Sequence, residues 1–369
     1  MRRSMFLAVP GLVVLAILIS VSALAMLRGF EVALPGRVLG FPRDHAAHPA
    51  FQTEWWYYTG HLHTADGEEY GYQLTFFQRR VDEGSWLSGP SQWSPQYLYM
   101  AHFAISDKQR KRLVFAEKIN RPTLGVAGAD EERLRVWNDE WRAELLGPYH
   151  HLQAAMDEFS INLILLPEKA PVVHGIDGVS QKGEAKGNAS HYYSFTRLKI
   201  DGVLQVRGVA KSVTGMSWMD HEFGSSQLEP TQVGWDWFSV QLDNRTELMI
   251  YLLRHEDGRI DPHSSGTLVY PDGKVEHLRK DMFEVVALGK WTSPRSGTTY
   301  PQGWELRLPQ VGLHLRLTPV FPDQELDTKS STRVVYWEGS VLVEGGNNGQ
   351  ALKGTGYVEL VGYKVKIDL

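Results

Sequence analysis

The chain has 369 residues, 43% hydrophobic and 22% charged, with a formal charge of -5. At about 150 residues per domain this allows two globular units and excludes a disordered chain; no stretch gathers positive charge for phosphates, so no nucleic-acid partner is expected. Cysteine is absent, which removes disulfides, thiol nucleophiles and cysteine zinc sites.

The chain opens with Arg2 and Arg3, followed by an uncharged, mostly apolar run from Ser4 to Leu27 that ends at Arg28. Such a run reads as a signal peptide or a transmembrane anchor over residues 1–30, and Ala23-Leu24-Ala25 offers a cleavage site. The positive-inside rule then sends the remainder across the membrane, into the periplasm of a diderm bacterium.

From Phe51 onward, short strands with two-residue alternation are separated by turn signals. Glu54 to His63 and Glu69 to Arg80 flank Ala65-Asp66-Gly67, with Tyr70, Tyr72, Leu74 and Phe76 on one face. Tyr97 to Ser106 pairs with Arg112 to Ile119, Leu134 to Trp137 with Trp141 to Leu146, and His151 to Met156 with Phe159 to Leu166. Tyr192 to Ile200 and Val203 to Val213 flank Asp201-Gly202, the clearest predicted hairpin. Further on, Trp235 to Leu242 pairs with Glu247 to Arg254, Trp304 to Leu308 with Leu313 to Leu317, and Trp337 to Val343 with Ala351 to Leu360. This succession predicts an all-β chain of two tandem antiparallel barrels or sandwiches after an N-terminal hydrophobic helix. They would occupy 41–224 and 225–369, parted near Gly224-Ser225-Ser226 and Pro230. Pro171 to Ser190 predicts a long loop across one barrel mouth.

Three motifs could carry chemistry. Glu54-Trp55-Trp56-Tyr57-Tyr58 sets a carboxylate among rings, where desolvation would raise its pKa; alternatively Glu54 accepts a hydrogen bond at a barrel end. Gly215 to Gly224 holds Asp220, His221 and Glu222 in succession. On a strand, Asp220 and Glu222 share a face with Trp218 while His221 points away, an arrangement suited to two carboxyls with one proton between them. The alternative is a buried polar plug. In Gly234-Trp235-Asp236-Trp237-Phe238, two indoles share a face and could line a ligand site or stabilise a carbocation, or form ordinary core. His61 and His63 share a face that His102, His151, His191 or His221 could join around zinc or iron, but fourteen histidines produce such spacings by chance. No metal or cofactor is expected. No nucleophile elbow, zincin, Walker or dinucleotide motif is present.

Phe51-Gln52-Thr53-Glu54-Trp55-Trp56-Tyr57-Tyr58-Thr59-Gly60, Tyr70 to Phe77, His191-Tyr192-Tyr193-Ser194, Trp218-Met219-Asp220-His221-Glu222, Gly234 to Trp237, Tyr336-Trp337-Glu338-Gly339 and Gly356 to Leu360 resemble the AttH/CrtC family of lipocalin-like proteins, from about residue 45 to the C-terminus. The resemblance implies two lipocalin-like β-barrels and kinship with predicted secreted hydrolases, a carotenoid hydratase and fungal cyclisation catalysts. In the hydratase case it implies Asp220 as proton donor, with His221 or Glu222 setting its proton, and Glu54, Trp56, Tyr57, Trp218, Trp235 and Trp237 as ligand-binding residues. The other readings are a non-catalytic carrier of a lipid or hydrophobic small molecule at the inner membrane, serving an ABC-type transporter; a secreted hydrolase; and an adhesion module.

Overall fold

Between Thr53 and Leu360 the described residues form strands and little else. The structure, a computed structural model, describes residues 29–81, 97–225 and 228–367. The apolar run from Ser4 to Leu27, and Ser226 of the expected linker, lie outside these. Among the described residues no helix is long and apolar enough to cross a membrane.

The first sheet takes β1 (Thr53–Thr64), β2 (Glu69–Arg80), β3 (Tyr97–Asp107), β4 (Arg112–Asn120), β5 (Ala127–Ala129), β6 (Arg135–Asn138), β7 (Trp141–Leu146), β8 (Tyr149–Ala155), β9 (Phe159–Pro167), β10 (Val172–Val173), β11 (Ser180–Gln181), β12 (Ala189–Val206) and β13 (Val209–Gly224). The second takes β14 (Gln232–Leu242), β15 (Glu247–His255), β16 (Ser265–Val269), β17 (Val275–Arg279), β18 (Glu284–Thr292), β19 (Thr299–Leu308), β20 (Leu313–Pro319), β21 (Glu325–Thr328), β22 (Val334–Asn347) and β23 (Gln350–Leu360). Their orders are β4-β3-β2-β1-β13-β12-β9-β8-β7-β6-β5 and β17-β16-β15-β14-β23-β22-β20-β19-β18. The chain is thus two tandem antiparallel barrels, one nearly closed and one half open.

Side chains bring the first sheet's ends together. Lys118 on β4 pairs with Asp139 and Glu140 in the β6–β7 turn at 3.0 and 2.7 Å, and Arg112 pairs with Glu158 at 2.7 Å. Charged side chains along an edge strand discourage its pairing with other chains. Each barrel has its own core: Trp56, Tyr58, Tyr70, Tyr72, Leu74 and Phe76 pack inside the first, and Phe238, Trp304 and Trp337 inside the second. A third apolar cluster, with Tyr57, Tyr192, Trp218 and Trp237, lies between them. Strands β1, β12, β13 and β14 are therefore buried on both faces along much of their length, and both alternating sets of side chains carry large rings.

Two local expectations are corrected. Asp201-Gly202 is not a turn: it sits inside β12, and the hairpin closes six residues later at Arg207-Gly208, both at positive φ, with Val206 opposite Val209. Gly202 is small because β9 runs close by; an added Cβ would lie 2.4 Å from the Asn162 carbonyl oxygen. Pro171 to Ser190 is not a free loop, because β10 and β11 pair with the part of β12 that β9 does not reach. Its side chains His174 and Lys182 are buried.

Candidate functional site

The register of β13 against β1 and β12 sorts the ionisable residues. Trp218, Asp220 and Glu222 point toward the second barrel, whereas Met219, His221 and Phe223 point away from it. Tyr57 lies opposite Asp220 on β1, and Ser194 opposite it on β12. Strand β14 supplies Trp235 and Trp237 to the same space. Together with Lys182, Tyr192, Tyr251 and Glu359, the side chains of Tyr57, Asp220, Glu222, Trp235 and Trp237 line a chamber of about 110 Å³ between the barrels; Trp218, expected in that lining, is outside it and turns its indole onto Asp220 instead.

The Asp220 carboxylate accepts hydrogen bonds from the Trp218 indole at 2.6 Å, from the Tyr192 hydroxyl at 2.8 Å and from the Ser194 hydroxyl. Trp237 in turn donates to the Tyr192 oxygen at 3.1 Å. Burial pushes Asp220 up to about 7, against those three donors and with help from the negative Glu222. The rings around it are mutually braced: Trp237 stands edge-on to Tyr57 at 5.3 Å and to Trp218 at 6.1 Å.

Glu222 pairs with Lys182 at 2.8 Å and accepts from Ser190 at 2.5 Å. Burial works against the Lys182 charge, but Glu222, Tyr251 and Asp220 restore it, so its pKa lies above the usual lysine value. The Lys182 ammonium also faces the Tyr251 ring at 4.5 Å.

Two further carboxyls come from the second barrel, where Glu338 on β22 is the cross-strand partner of Glu359 on β23. Glu359 accepts from Trp235 at 2.7 Å, and burial, with Asp220 and Glu222 nearby, raises it to about 7. Glu338 accepts from Tyr57 at 2.7 Å while its second oxygen has no partner; burial, with Glu359 and Asp220 near, lifts it well above the carboxylate range. The chamber wall thus holds two carboxyls, Asp220 and Glu359, that burial raises to about 7. The sequence reading missed Glu338, Glu359, Tyr192, Ser194, Lys182 and His174. Four of them lie in motifs quoted for the family resemblance, so the aromatic runs carried the only signal; nothing marked Lys182 or His174.

Glu54, Trp56 and His221 belong elsewhere. They lie inside the first barrel, where His221 meets Glu54 at 2.7 Å and Tyr193 at 3.0 Å, with Trp56 stacked on its ring at 4.8 Å. His221 therefore does not set the Asp220 proton, because strand alternation turns it to the opposite face; Glu222, on the same face, does act on Asp220. His48 joins Glu54 at 2.8 Å and Asp44 at 3.0 Å. Burial alone would raise Glu54, but His48 and His221 beside it bring it down to about 2. His48, Glu54 and His221 set three potential metal-ligand atoms within 4.8 Å of one another, and hydrogen bonds already join Glu54 to both imidazoles. The histidines weighed from sequence do not converge: His61 reaches the Gly356 carbonyl, His102 meets Tyr336 and Ser331, His151 meets Asn162, and His191 reaches the Gly178 carbonyl.

A Ser-His pair does occur, with Ser194 2.6 Å from His174. The other His174 nitrogen meets Thr267 at 2.8 Å rather than a carboxylate, and Asp220 accepts from Ser194 directly. This is not the order in which a base-activated serine is built. Beyond the chamber lies a larger cleft of about 1190 Å³, and Thr53, Phe77, Trp235 and Glu359 border both spaces.

A family model described as AttH-like matches residues 32–363. Among solved structures, the chain is similar to an AttH candidate from Nitrosomonas europaea, with 32% identity over 91% of this chain and 100% of the other and a TM-score of 0.82. It is also similar to kievitone hydratase from Nectria haematococca (14% identity, 92% and 97% covered, TM-score 0.70) and to CghA solved with Sch210972 (13%, 92% and 97%, 0.54), which share its fold. No curated protein matches the sequence. By the match over most of its length and by that 32% identity, the chain belongs to the AttH-like family.

Proposed function

We propose that the protein is a hydratase that adds water to a carbon–carbon double bond of a hydrophobic, isoprenoid-like or lipid ligand. The observation that carries this reading is Asp220, a buried carboxyl raised to about 7 in the wall of an aromatic chamber. Protonated, its O–H gives the proton to the less substituted alkene carbon as the π electrons form the new C–H bond. The rings of Tyr57, Trp235 and Trp237 in the chamber wall attract the cation left on the other carbon. Water then forms the C–O bond, and the oxonium proton returns to Asp220, so substrate plus water gives an alcohol and the acid is restored. A hydratase, kievitone hydratase, is built on this fold, which makes the chemistry compatible with the scaffold while leaving the substrate open.

The chamber, at about 110 Å³, holds the reacting end of a chain and not a whole lipid; the outer cleft, at about 1190 Å³, exceeds the roughly 300–1,000 Å³ of a pocket that encloses a drug-sized ligand. That cleft also suits the second reading, a carrier that holds a hydrophobic molecule unchanged for an ABC-type transporter. Under either reading the N-terminal apolar run supports a site of action outside the cytoplasm, beside the inner membrane.

Native mass spectrometry of the full chain and of Asp220→Asn, each with the molecule it carries from its own membrane, tests the proposal. A wild-type ligand one water heavier than the variant's supports the hydratase; the same unmodified molecule in both supports the carrier.

A further inference from the structure

The water addition draws on one carboxyl, Asp220, and leaves a second in the same chamber without a part in it. Asp220 reaches the chamber from β13 of the first barrel, and Glu359 reaches it from β23 of the second. Both oxygens of Asp220 are engaged, Oδ1 by Trp218 and Ser194 and Oδ2 by Tyr192. Glu359 is held differently. Its Oε2 accepts from the Trp235 indole at 2.7 Å, and among the described residues no donor meets Oε1. Glu359 also keeps some of its surface open, whereas Asp220, Glu222 and Glu338 are buried.

The neighbouring carboxyls do not offer the same. Glu222 is paired with Lys182 at 2.8 Å, and a proton arriving there would break a buried ion pair. Glu338 turns to the Tyr57 hydroxyl and takes no part in the chamber lining. Trp237 connects the two that remain. It is the cross-strand partner of Glu359, and its indole donates to the Tyr192 hydroxyl that itself donates to Asp220. A negative Asp220 disfavours a negative Glu359, and since such repulsion is mutual, one proton between the pair is favoured over none. Adding H and OH across a double bond needs one carboxyl that carries a proton and one lone pair open to the water.

We propose that Glu359 is a second catalytic residue of the water addition, its Oε1 orienting the attacking water and taking the proton that this water loses. The inference rests on the hydratase reading and deepens it. The Asp220 O–H bond breaks as the new C–H bond forms, and the resulting cation meets a water held by Glu359. The C–O bond then forms, a water O–H bond breaks, and that proton goes to Oε1. When the alcohol leaves, water entering the chamber passes the proton from Glu359 to Asp220, which restores the starting pair. Substrate plus water gives the alcohol, and no further reactant is needed. Trp235, by occupying Oε2, fixes which oxygen meets the water. Without a base the cation collapses back to the alkene by returning a proton from carbon to Asp220.

The test incubates the molecule recovered from Asp220→Asn protein in D₂O with full-chain wild type and with Glu359→Gln, and analyses it by mass after return to H₂O. Glutamine keeps the side-chain shape, and its carbonyl still accepts from Trp235, so the molecule should bind as in wild type. Glu359→Gln should slow water addition by about 10²–10⁴, while the alkene it leaves gains carbon-bound deuterium, because the cation still forms and collapses. Water addition at the wild-type rate would overturn the proposal. So would a variant that binds the molecule but loses deuterium uptake together with water addition, since Glu359 would then serve the first proton transfer. Glu359→Asp and Glu359→Asn repeat the comparison at one smaller size: the aspartate protein should add water at least about tenfold faster, and equal rates would overturn the proposal whether or not Glu359→Gln folds. The two readings fail separately. An inert Asp220→Asn with a fully active Glu359→Gln removes only the part given to Glu359, whereas a molecule that wild type leaves unchanged removes the hydratase reading and this inference with it.

Discussion

Three hydrogen-bond donors converge on the Asp220 carboxylate, and the cost of burying its charge still outweighs them. Its folded pKa of about 7 lies above the ordinary 3.8, so between those values the folded chain binds more protons than the unfolded one. The stability this group contributes is present at low pH and is lost as pH rises toward 7. Glu54 behaves oppositely: with a pKa of about 2 against 4.5, it contributes stability above pH 4.5 that is lost as pH falls toward 2. Denaturant unfolding across pH should show Asp220→Asn flattening the decline between about pH 4 and 7, and Glu54→Gln flattening the rise from acid. At pH 7 Glu54→Gln is expected to cost about 3–5 kcal/mol, because the buried His48, whose pKa lies above the usual imidazole value, loses its counter-charge and His221 loses a hydrogen-bond partner. Loss of the proton donor in Asp220→Asn should lower turnover by about 10²–10⁴, the usual contribution of a positioned acid.

At the scale of elements, alternation and turn residues made most hairpins legible, including the register that sets Trp304 opposite Leu317 and Leu308 opposite Leu313. Asp201-Gly202 misled because an Asp-Gly pair signals a turn, whereas the glycine here accommodates the close approach of β9 and the aspartate is solvent-exposed. Asp201→Thr, which suits a strand, should therefore change stability by less than about 0.5 kcal/mol. Gly208→Val, at a φ of 81°, should cost about 1–3 kcal/mol in thermal or denaturant melts. A two-residue period also predicted that Asp220 and Glu222 share a face that His221 does not.

For the whole molecule, the candidate site is a property of how two sheets meet. Glu338 and Glu359 reach Asp220 from more than a hundred residues away, and no local pattern announces that distance; the aromatic motifs holding them were visible, their meeting point was not. The barrels are also joined by polar contacts: Glu247 on β15 accepts from Arg197 at 2.5 Å and from Lys169 at 2.6 Å, both carried by the first barrel's part of the chain. Replacing Glu247 with leucine strands two buried cations and should cost about 3–5 kcal/mol in denaturant unfolding. The central claim, that Asp220 delivers a proton to carbon, is tested most directly by isotope. The ligand recovered from Asp220→Asn protein is incubated with wild type in D₂O, and the product is returned to H₂O before mass analysis. The hydratase account predicts one deuterium retained on carbon in each hydrated molecule, and none when the variant replaces the wild type; a ligand that emerges unchanged from wild type, or hydrated without carbon-bound deuterium, would contradict it.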